Sequence, residues 1–230
     1  SVSDPDDPEG EAQADEAAWV LFADAPLELT ENDAEAFDGE LWVVGGLTAD
    51  ATVSDDVVVY DPATDTWREG PALPEPVHHA RLVATDENLV LVGGYRTLAF
   101  DAVDDVWVLD DDGDGWVPGP PLPAARGAGG AAWDGQRIVF GGGMDADGAL
   151  AADVFALTSL DGEWERIGEL WIARDHLDAT SDGAGTVWFL AGRQMALTAN
   201  LGVVDLLIDD TIDDIGELPT PRGGVAAFYS

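Results

Sequence analysis

Residues 41–74 read LWVVGGLTADATVSDDVVVYDPATDTWREGPALP, and a few landmarks within this stretch recur along the chain. A short apolar run ends in the glycine pair Gly45-Gly46. A second apolar run closes with Val59-Tyr60-Asp61, and Trp67 and Pro74 follow in turn. Self-similarity at a fixed spacing is the mark of a repeat architecture, so the period is the first quantity to establish.

The period is 48 to 49 residues. The tryptophans fall at Trp19, Trp67, Trp116 and Trp164, and the glycine pair returns at Gly93-Gly94, Gly141-Gly142 and, as Ala191-Gly192, once more. Cationic residues keep the same step at His78, Arg126, Arg174 and Arg222. Several independent markers therefore follow one repeat.

Each repeat contains four short strand-like segments and no helical periodicity. The run before each glycine pair, such as 89–92, lacks polar alternation, which is typical of a strand buried on both faces. We name the four strands A to D, where B ends in the glycine pair and D carries the tryptophan. Four short strands in about 48 residues predict one blade of a β-propeller.

The order Gly45-Gly46, Val59-Tyr60-Asp61, Trp67 and Leu73-Pro74 resembles the Kelch repeat, and the resemblance extends over residues 17–230. Residues 1–16 are interpreted as an acidic N-terminal linker. The resemblance implies an all-β, Kelch-type propeller with four complete four-stranded blades. WD40 propellers fit less well, because the tryptophan is not followed by aspartate at a strand end.

The strand count does not close a ring. The chain reads as a D strand at Trp19, four ABCD units, and a trailing A strand at Gly223–Phe228. The two ends would contribute a partial blade that lacks strands B and C. Either the chain is a fragment of a larger propeller, or another chain completes the blade by strand addition.

Composition restricts the partners. Against 47 acidic residues stand nine arginines and no lysine, a formal charge of −38. Such a surface repels nucleic acid and anionic lipid, and it suits a salt-adapted or secreted protein. No apolar stretch is long enough to predict a membrane span. The acidic N-terminus is like the linker that follows a removed signal peptide, so an extracellular or periplasmic location is expected.

A ring of cationic side chains is the first candidate ligand site. His78, Arg126, Arg174 and Arg222 share one repeat position, which predicts that they point towards the propeller axis at one end, with His176 nearby. Such a ring would bind a carboxylate or sulfate. The alternative is that these arginines make structural hydrogen bonds to neighbouring backbone.

A calcium loop is the second candidate. Asp110, Asp112 and Asp114, followed by Gly115, match the first half of a calcium-binding loop, but Pro121 stands where its last carboxylate ligand belongs. An Asp/Gly hairpin turn explains the same letters.

The function expected from the resemblance is binding of a protein partner through end loops, with Leu47–Asp56 and Gly143–Asp153 as the longest. The alternatives are a carbohydrate-active enzyme or lectin, similar to sialic acid mutarotases, that uses the Arg/His ring, and a structural subunit of a surface assembly. Copper oxidase chemistry of the galactose oxidase kind is excluded because the chain has no cysteine. No cofactor other than calcium is expected.

Overall fold

The protein is described from a computed structural model that covers residues 20–229. Within this range all regular structure is β. In chain order the strands are β1 (Leu29–Thr30), β2 (Asp33–Phe37), β3 (Glu40–Val44), β4 (Leu47–Thr48), β5 (Val57–Asp61), β6 (Thr66–Glu69), β7 (Arg81–Ala84), β8 (Leu89–Val92), β9 (Val106–Leu109), β10 (Trp116–Pro118), β11 (Gly130–Trp133), β12 (Ile138–Gly141), β13 (Asp153–Leu157), β14 (Glu165–Glu169), β15 (Asp178–Ser181), β16 (Val187–Leu190), β17 (Leu201–Ile208) and β18 (Thr211–Arg222). Residues 20–229 contain no helix with the length and hydropathy of a membrane span.

Sixteen of these strands form four antiparallel, four-stranded sheets. Their strand orders are β2-β3-β5-β6, β7-β8-β9-β10, β11-β12-β13-β14 and β15-β16-β17-β18. Strands β1 and β4 form a separate two-stranded ribbon. The four sheets are blades 1 to 4, and the predicted four-bladed propeller arrangement is confirmed.

The blades pack around an axis lined by their first strands. Strand β7 contacts β2 on one side and β11 on the other, and β11 in turn contacts β15. The hydrophobic core consists of layers between successive blades. Between blades 1 and 2, for example, Trp42, Leu91 and Trp116 are buried together. The absence of polar alternation in β8, whose four residues are all buried, reflects this packing on both faces.

The antiparallel connections divide the molecule into two ends. Tight turns join strands A and B and strands C and D at one end, which we call the turn end. The B–C loops and the D–A links lie at the other, which we call the loop end. Residues near the end of the D–A links form isolated bridges there with residues near the start of the B–C loops, such as His78 with Tyr95 and Asp175 with Arg193.

The repeated glycines and tryptophans hold neighbouring elements together. A Cβ atom on Gly93, which has a φ of +63°, would lie 2.4 Å from the carbonyl oxygen of Arg126. The D–A link that contains Arg126 can therefore pack this closely only because residue 93 is glycine. Trp116 donates from Nε1 to the carbonyl oxygen of Pro71 in the preceding link at 2.9 Å, and Trp164 makes the same bond to Pro120. Both residue types act in blade packing.

The N-terminal segment continues the repeat. Trp67 of blade 1 donates to the carbonyl oxygen of Ala23 at 3.0 Å, which is the bond that Trp116 makes to a D–A link. Residues 20–28 therefore occupy the place of a link that precedes blade 1. The D strand predicted around Trp19 lies outside the described residues.

The C-terminal segment lies where an A strand would follow blade 4, but it is not a strand. Ala227 donates its N–H to Asp178 Oδ2 at 2.7 Å, as Leu82 does to Asp33 Oδ2 between blades 1 and 2. Every A strand in the blades pairs with its own B strand, and residues 20–229 contain no B strand for this segment. The prediction of an innermost strand at Gly223–Phe228 is thus correct in position and wrong in secondary structure.

Candidate functional site

The register of the D–A links corrects one predicted site residue. In each blade one glycine after strand B donates its N–H to one link residue at 2.8–2.9 Å: Gly46 to Val77, Gly94 to Arg126, Gly143 to Arg174 and Gly192 to Arg222. The glycine pair of blade 3 is therefore Gly142-Gly143, one residue later than the predicted Gly141-Gly142. Val77, and not His78, is therefore the structural equivalent of the three arginines. The step from Trp67 to Trp116 is 49 residues, so counting 48 back from Arg126 shifts the register by one.

The arginines do not form a ring on the axis. Arg174 is fully buried, donates to the carbonyl oxygens of Ala191 and Phe189 in blade 4, and lies 2.8 Å from Asp205 Oδ2. Burial lowers the pKa of Arg174, although the Asp205 carboxylate opposes the shift. This side chain joins a link to the next blade.

Of the other two predicted arginines, only Arg126 is placed like Arg174: it is buried and pairs with Asp153 of blade 3 at 3.1 Å. Arg222, the last residue of β18, is exposed. The structural alternative for these positions fits the geometry, whereas the anion-binding ring has no common centre.

The link position that does face the axis is two residues after the arginines. It is occupied by Glu31, His79, Ala128, His176 and Gly224, at steps of 48, 49, 48 and 48 residues. All five have a left-handed backbone, with φ between 50° and 71°. From His79 onward, the N–H of each residue donates to the carbonyl oxygen of the preceding one at 2.8–2.9 Å. The five residues line one cavity of about 390 Å³.

All three histidines of the chain meet here, in what we call the axial cluster, formed by Glu31, His78, His79, His176 and Arg193. His79 is central: its Nδ1 lies 2.6 Å from His78 Nδ1, and its Nε2 lies 3.0 Å from His176 Nε2 and 3.1 Å from Glu31 Oε2. Arg193 Nη2 lies 2.7 Å from His176 Nε2. The predicted site residues His78 and His176 are therefore brought together, without the arginines predicted beside them.

Burial keeps the imidazoles of His78 and His79 neutral. It lowers the pKa of His79 to about 2, and the neighbouring His176 and His78 add to the effect. Burial also lowers the pKa of His78. Tyr95 packs against both rings and donates its hydroxyl to the carbonyl oxygen of Gly127, and burial raises its pKa. The cluster thus offers neutral nitrogen donors.

Next to the cluster, Arg81 links the inner strands of the four blades. It donates to the carbonyl oxygens of Gly129 and Leu177, and its Nη1 lies 3.6 Å from Asp33 and 3.4 Å from Asp178. Burial raises the pKa of Asp33, and Arg81 opposes that shift. The arrangement is a structural ion network across the axis.

The residues of the predicted calcium loop lie in the turn between β9 and β10, at the turn end. Asp110 accepts the N–H of Asp114 at its Oδ1 and the N–H of Gly113 at its carbonyl oxygen, both at 2.9 Å, as a hairpin turn requires. Among residues 20–229, the carboxylates of Asp110, Asp112 and Asp114 do not converge on one point, whereas Glu31, His79 and His176 do. Calcium binding stays a prediction.

The B–C loops share one turn that sequence inspection did not show. In each loop an N–H donates back three residues, closing the turns 48–51, 97–100, 145–148 and 196–199. The second residue of the turn is Ala49, Leu98, Ala146 and Leu197 in blades 1 to 4. Leu98 and Leu197 are 53% and 78% exposed. The loops of blades 2 and 4, rather than the predicted loops of blades 1 and 3, carry exposed leucines, and the loop of blade 2 (residues 93–105) is the longest of the four.

Sequence reasoning missed Glu31, His79 and Arg193 as site residues. The available signal was the spacing of Glu31, His79 and His176. This spacing identifies them as equivalent residues of the repeat only when the link register of the structure is known. Arg193 follows the glycine pair of blade 4 and carries no motif.

Comparisons with known proteins agree with this architecture. Residues 33–74 match the family model of the Kelch motif. The chain is 34% identical over 91 residues to Kelch-like protein terF of Aspergillus terreus and 38% identical over 78 residues to a Kelch domain-containing protein of Sulfurisphaera tokodaii, which covers 36% and 34% of this chain. The match to Kelch-like protein 35 of Mus musculus is 32% over 79 residues, or 34% of this chain.

These matches cover 11–20% of the length of the curated relatives. The solved structure of YjhT superposes with a TM-score of 0.81 at 15% identity, over 94% of this chain and 79% of that one, and so supports the fold alone. The fold and the matched motif define a repeat propeller of the Kelch type. Residues 33–74 carry a Kelch motif, and the chain as a whole is similar in fold to Kelch-type propellers.

Proposed function

We propose that this propeller binds a protein partner through its loop end and that the turns at Leu98 and Leu197 are the contact points. The observation that carries the proposal is the pair of exposed leucines at equivalent turn positions in blades 2 and 4. Kelch-type propellers are typically interaction modules, which supports the general class.

The exposed apolar area around these leucines is larger than the two side chains alone. Phe100 is 43% exposed and Met195 is 71% exposed in the same two loops. Phe100 has a φ of +62°, a backbone conformation that is costly for a bulky residue. Exposed apolar side chains on a rigid loop are typical of contact residues in protein interfaces.

Charge restricts the partner. The loops that hold the leucines also contain Asp101 and Asp105, and the chain as a whole carries −38. An apolar partner surface rimmed by Lys or Arg would fit, since complementary charge accelerates association. The same charge, together with the absence of lysine, supports our proposal that the protein works outside the cytoplasm, in a salt-rich medium.

The absence of cysteine makes a direct test simple. A single cysteine in place of exposed Ala99 would carry a photo-crosslinker at the loop end, and one in place of exposed Asp111 would carry it at the turn end. We expect a defined partner from extracts of the source cells to crosslink to the first chain and not to the second.

The crosslinked partner would then be purified and its affinity measured. Leu98→Ser and Leu197→Ser should each weaken binding by about tenfold or more, as central interface residues do. Serine substitutions of Ala49 and Ala146, at the equivalent turn positions, should leave binding unchanged. Equal crosslinking from both ends, or equal affinity of the leucine variants and the parent chain, would show that the loop end is not the binding surface.

A further inference from the structure

The axial cluster contains three electron-pair donors that face one another. Glu31, His79 and His176 occupy the left-handed link position in three of the five repeat units, with Ala128 between His79 and His176, and their ligand atoms all lie within 4.8 Å of one another. The side chains of His79 and His176 are 6% and 8% exposed. Gly224, at the same position of another repeat unit, adopts the left-handed backbone without the steric strain that a side chain adds there.

The hydrogen-bond partners assign the proton on each imidazole. His78 Nε2 lies 3.0 Å from the carbonyl oxygen of Thr97, which can only accept, so this nitrogen carries the hydrogen. Neutral His78 then has an unprotonated Nδ1. His79 must donate from its own Nδ1 across the 2.6 Å contact, which leaves His79 Nε2 with a free electron pair.

The second histidine is assigned in the same way. His176 Nε2 lies 2.7 Å from Arg193 Nη2, which can only donate, so this nitrogen is an electron-pair donor. The hydrogen of the neutral ring is therefore on Nδ1, which lies 3.1 Å from Asp175 Oδ1 without the alignment of a hydrogen bond.

Two neutral imidazole nitrogens and a carboxylate oxygen thus point at one space with no hydrogen between them. His79 Nε2 is 3.0 Å from His176 Nε2 and 3.1 Å from Glu31 Oε2. Only a cation or an added proton makes this arrangement favourable.

We propose that Glu31, His79 and His176 bind a divalent transition-metal ion of the zinc type, with its fourth position open to the axial cavity. Two histidines and one glutamate form a known zinc donor set. With metal–ligand bonds of about 2.0–2.1 Å, tetrahedral ligand atoms are roughly 3.3 Å apart. The two separations from His79 Nε2, 3.0 and 3.1 Å, need to widen by only a few tenths of an ångström, and the third pair of ligand atoms already lies within 4.8 Å. Calcium is disfavoured because it takes oxygen ligands.

Arg193 is the competitor for this metal. Its guanidinium donates a hydrogen bond to His176 Nε2, and metal binding must displace the guanidinium. Asp175 Oδ1 lies 3.5 Å from Arg193 Nε, so the displaced side chain keeps a carboxylate partner. Arg193 therefore lowers the affinity by occupying a ligand and by its charge.

The test is a titration of the full chain with Zn²⁺ in molar sodium chloride, which suppresses weak binding to the 47 surface carboxylates. We expect one tight site per chain. His176→Asn, which keeps a residue that tolerates the left-handed backbone, and Glu31→Gln, at an exposed position, should weaken it on the order of 100-fold or more. Circular dichroism would verify that both variants are folded.

Two controls separate the site from general charge effects. Asp110→Asn, in the acidic turn at the other end, should bind as the parent chain does. Arg193→Ala should bind Zn²⁺ more tightly by about tenfold, whereas Arg68→Ala, which removes an equal charge at the turn end, should not. Co²⁺ bound at the site should show the visible bands of tetrahedral coordination.

The proposal is overturned if the parent chain and a folded His176→Asn chain bind Zn²⁺ equally, or if Asp110→Asn abolishes the tight site. It is also overturned if Arg193→Ala and Arg68→Ala change the affinity alike. None of these results depends on whether the loop end binds a protein.

Discussion

Glu35 is a single side chain whose environment makes stability depend on pH. Burial raises its pKa to about 7, the carboxylates of Asp33 and Asp178 add to the shift, and the N–H of Ala36 opposes it. Between the ordinary value of 4.5 and about 7, the folded chain binds more protons than the unfolded chain. The contribution of Glu35 to stability is therefore lost as the pH rises through this window.

Glu35→Gln should accordingly raise the melting temperature at pH 8 by a few degrees and change it little at pH 4. The matched control is Glu163→Gln, the same change at an exposed position. Melting curves of the three chains between pH 4 and pH 8 provide the comparison. A constant difference between Glu35→Gln and the parent chain at every pH would show that Glu35 ionises normally.

At the scale of elements, the inner strands are joined by one guanidinium. Arg81 on β7 forms ion pairs with Asp33 on β2 and Asp178 on β15. Among the described residues, no other cationic side chain forms an ion pair with either carboxylate. The removal of Arg81 leaves two largely buried carboxylates without their cation, a defect that costs about 3–5 kcal/mol for a buried pair. Arg81→Ala should therefore strongly reduce the free energy of unfolding in urea.

Arg68→Ala is the control for this prediction. Arg68 pairs with Glu40 at 2.6 Å, but its side chain is 50% exposed. Exposed pairs contribute about 0–1 kcal/mol. If both variants lose the same small amount of stability, the inner strands are held by packing alone and the axial ion network is dispensable.

At the scale of the whole molecule, net charge opposes the compact state. With −38 on 230 residues, self-repulsion is large at low ionic strength. The screening length falls from about 30 Å at 0.01 M salt to about 3 Å at 1 M. The melting temperature should rise with sodium chloride, most steeply at the low end of the series.

Sucrose is the control for this series, because it favours compact states without screening charge. A melting temperature that is constant or falls as sodium chloride increases would contradict the salt adaptation inferred from composition.

The repeat could be predicted from sequence because its causes are local. Apolar runs such as Leu89–Val92, the glycines that follow them and the tryptophan at one fixed step determine strands, turns and blade packing within about 48 residues. Each blade repeats this pattern, so small errors in strand ends do not alter the architecture. The four blades and the resemblance to the Kelch repeat follow from that redundancy.

The axial site could not be predicted in the same way, because it depends on contacts between residues far apart in the chain. His79 and His176 are 97 residues apart, and whether they meet depends on a link register that a single residue shifts. The arginines predicted beside them turn instead into blade interfaces, where Asp153 and Asp205 pair with them. The sequence alone determined the propeller, whereas only the tertiary structure decided which side chains reach its axis. The left-handed backbone of the links places His79 and His176 at the axis, and the packing of adjacent blades places the arginines in the blade interfaces.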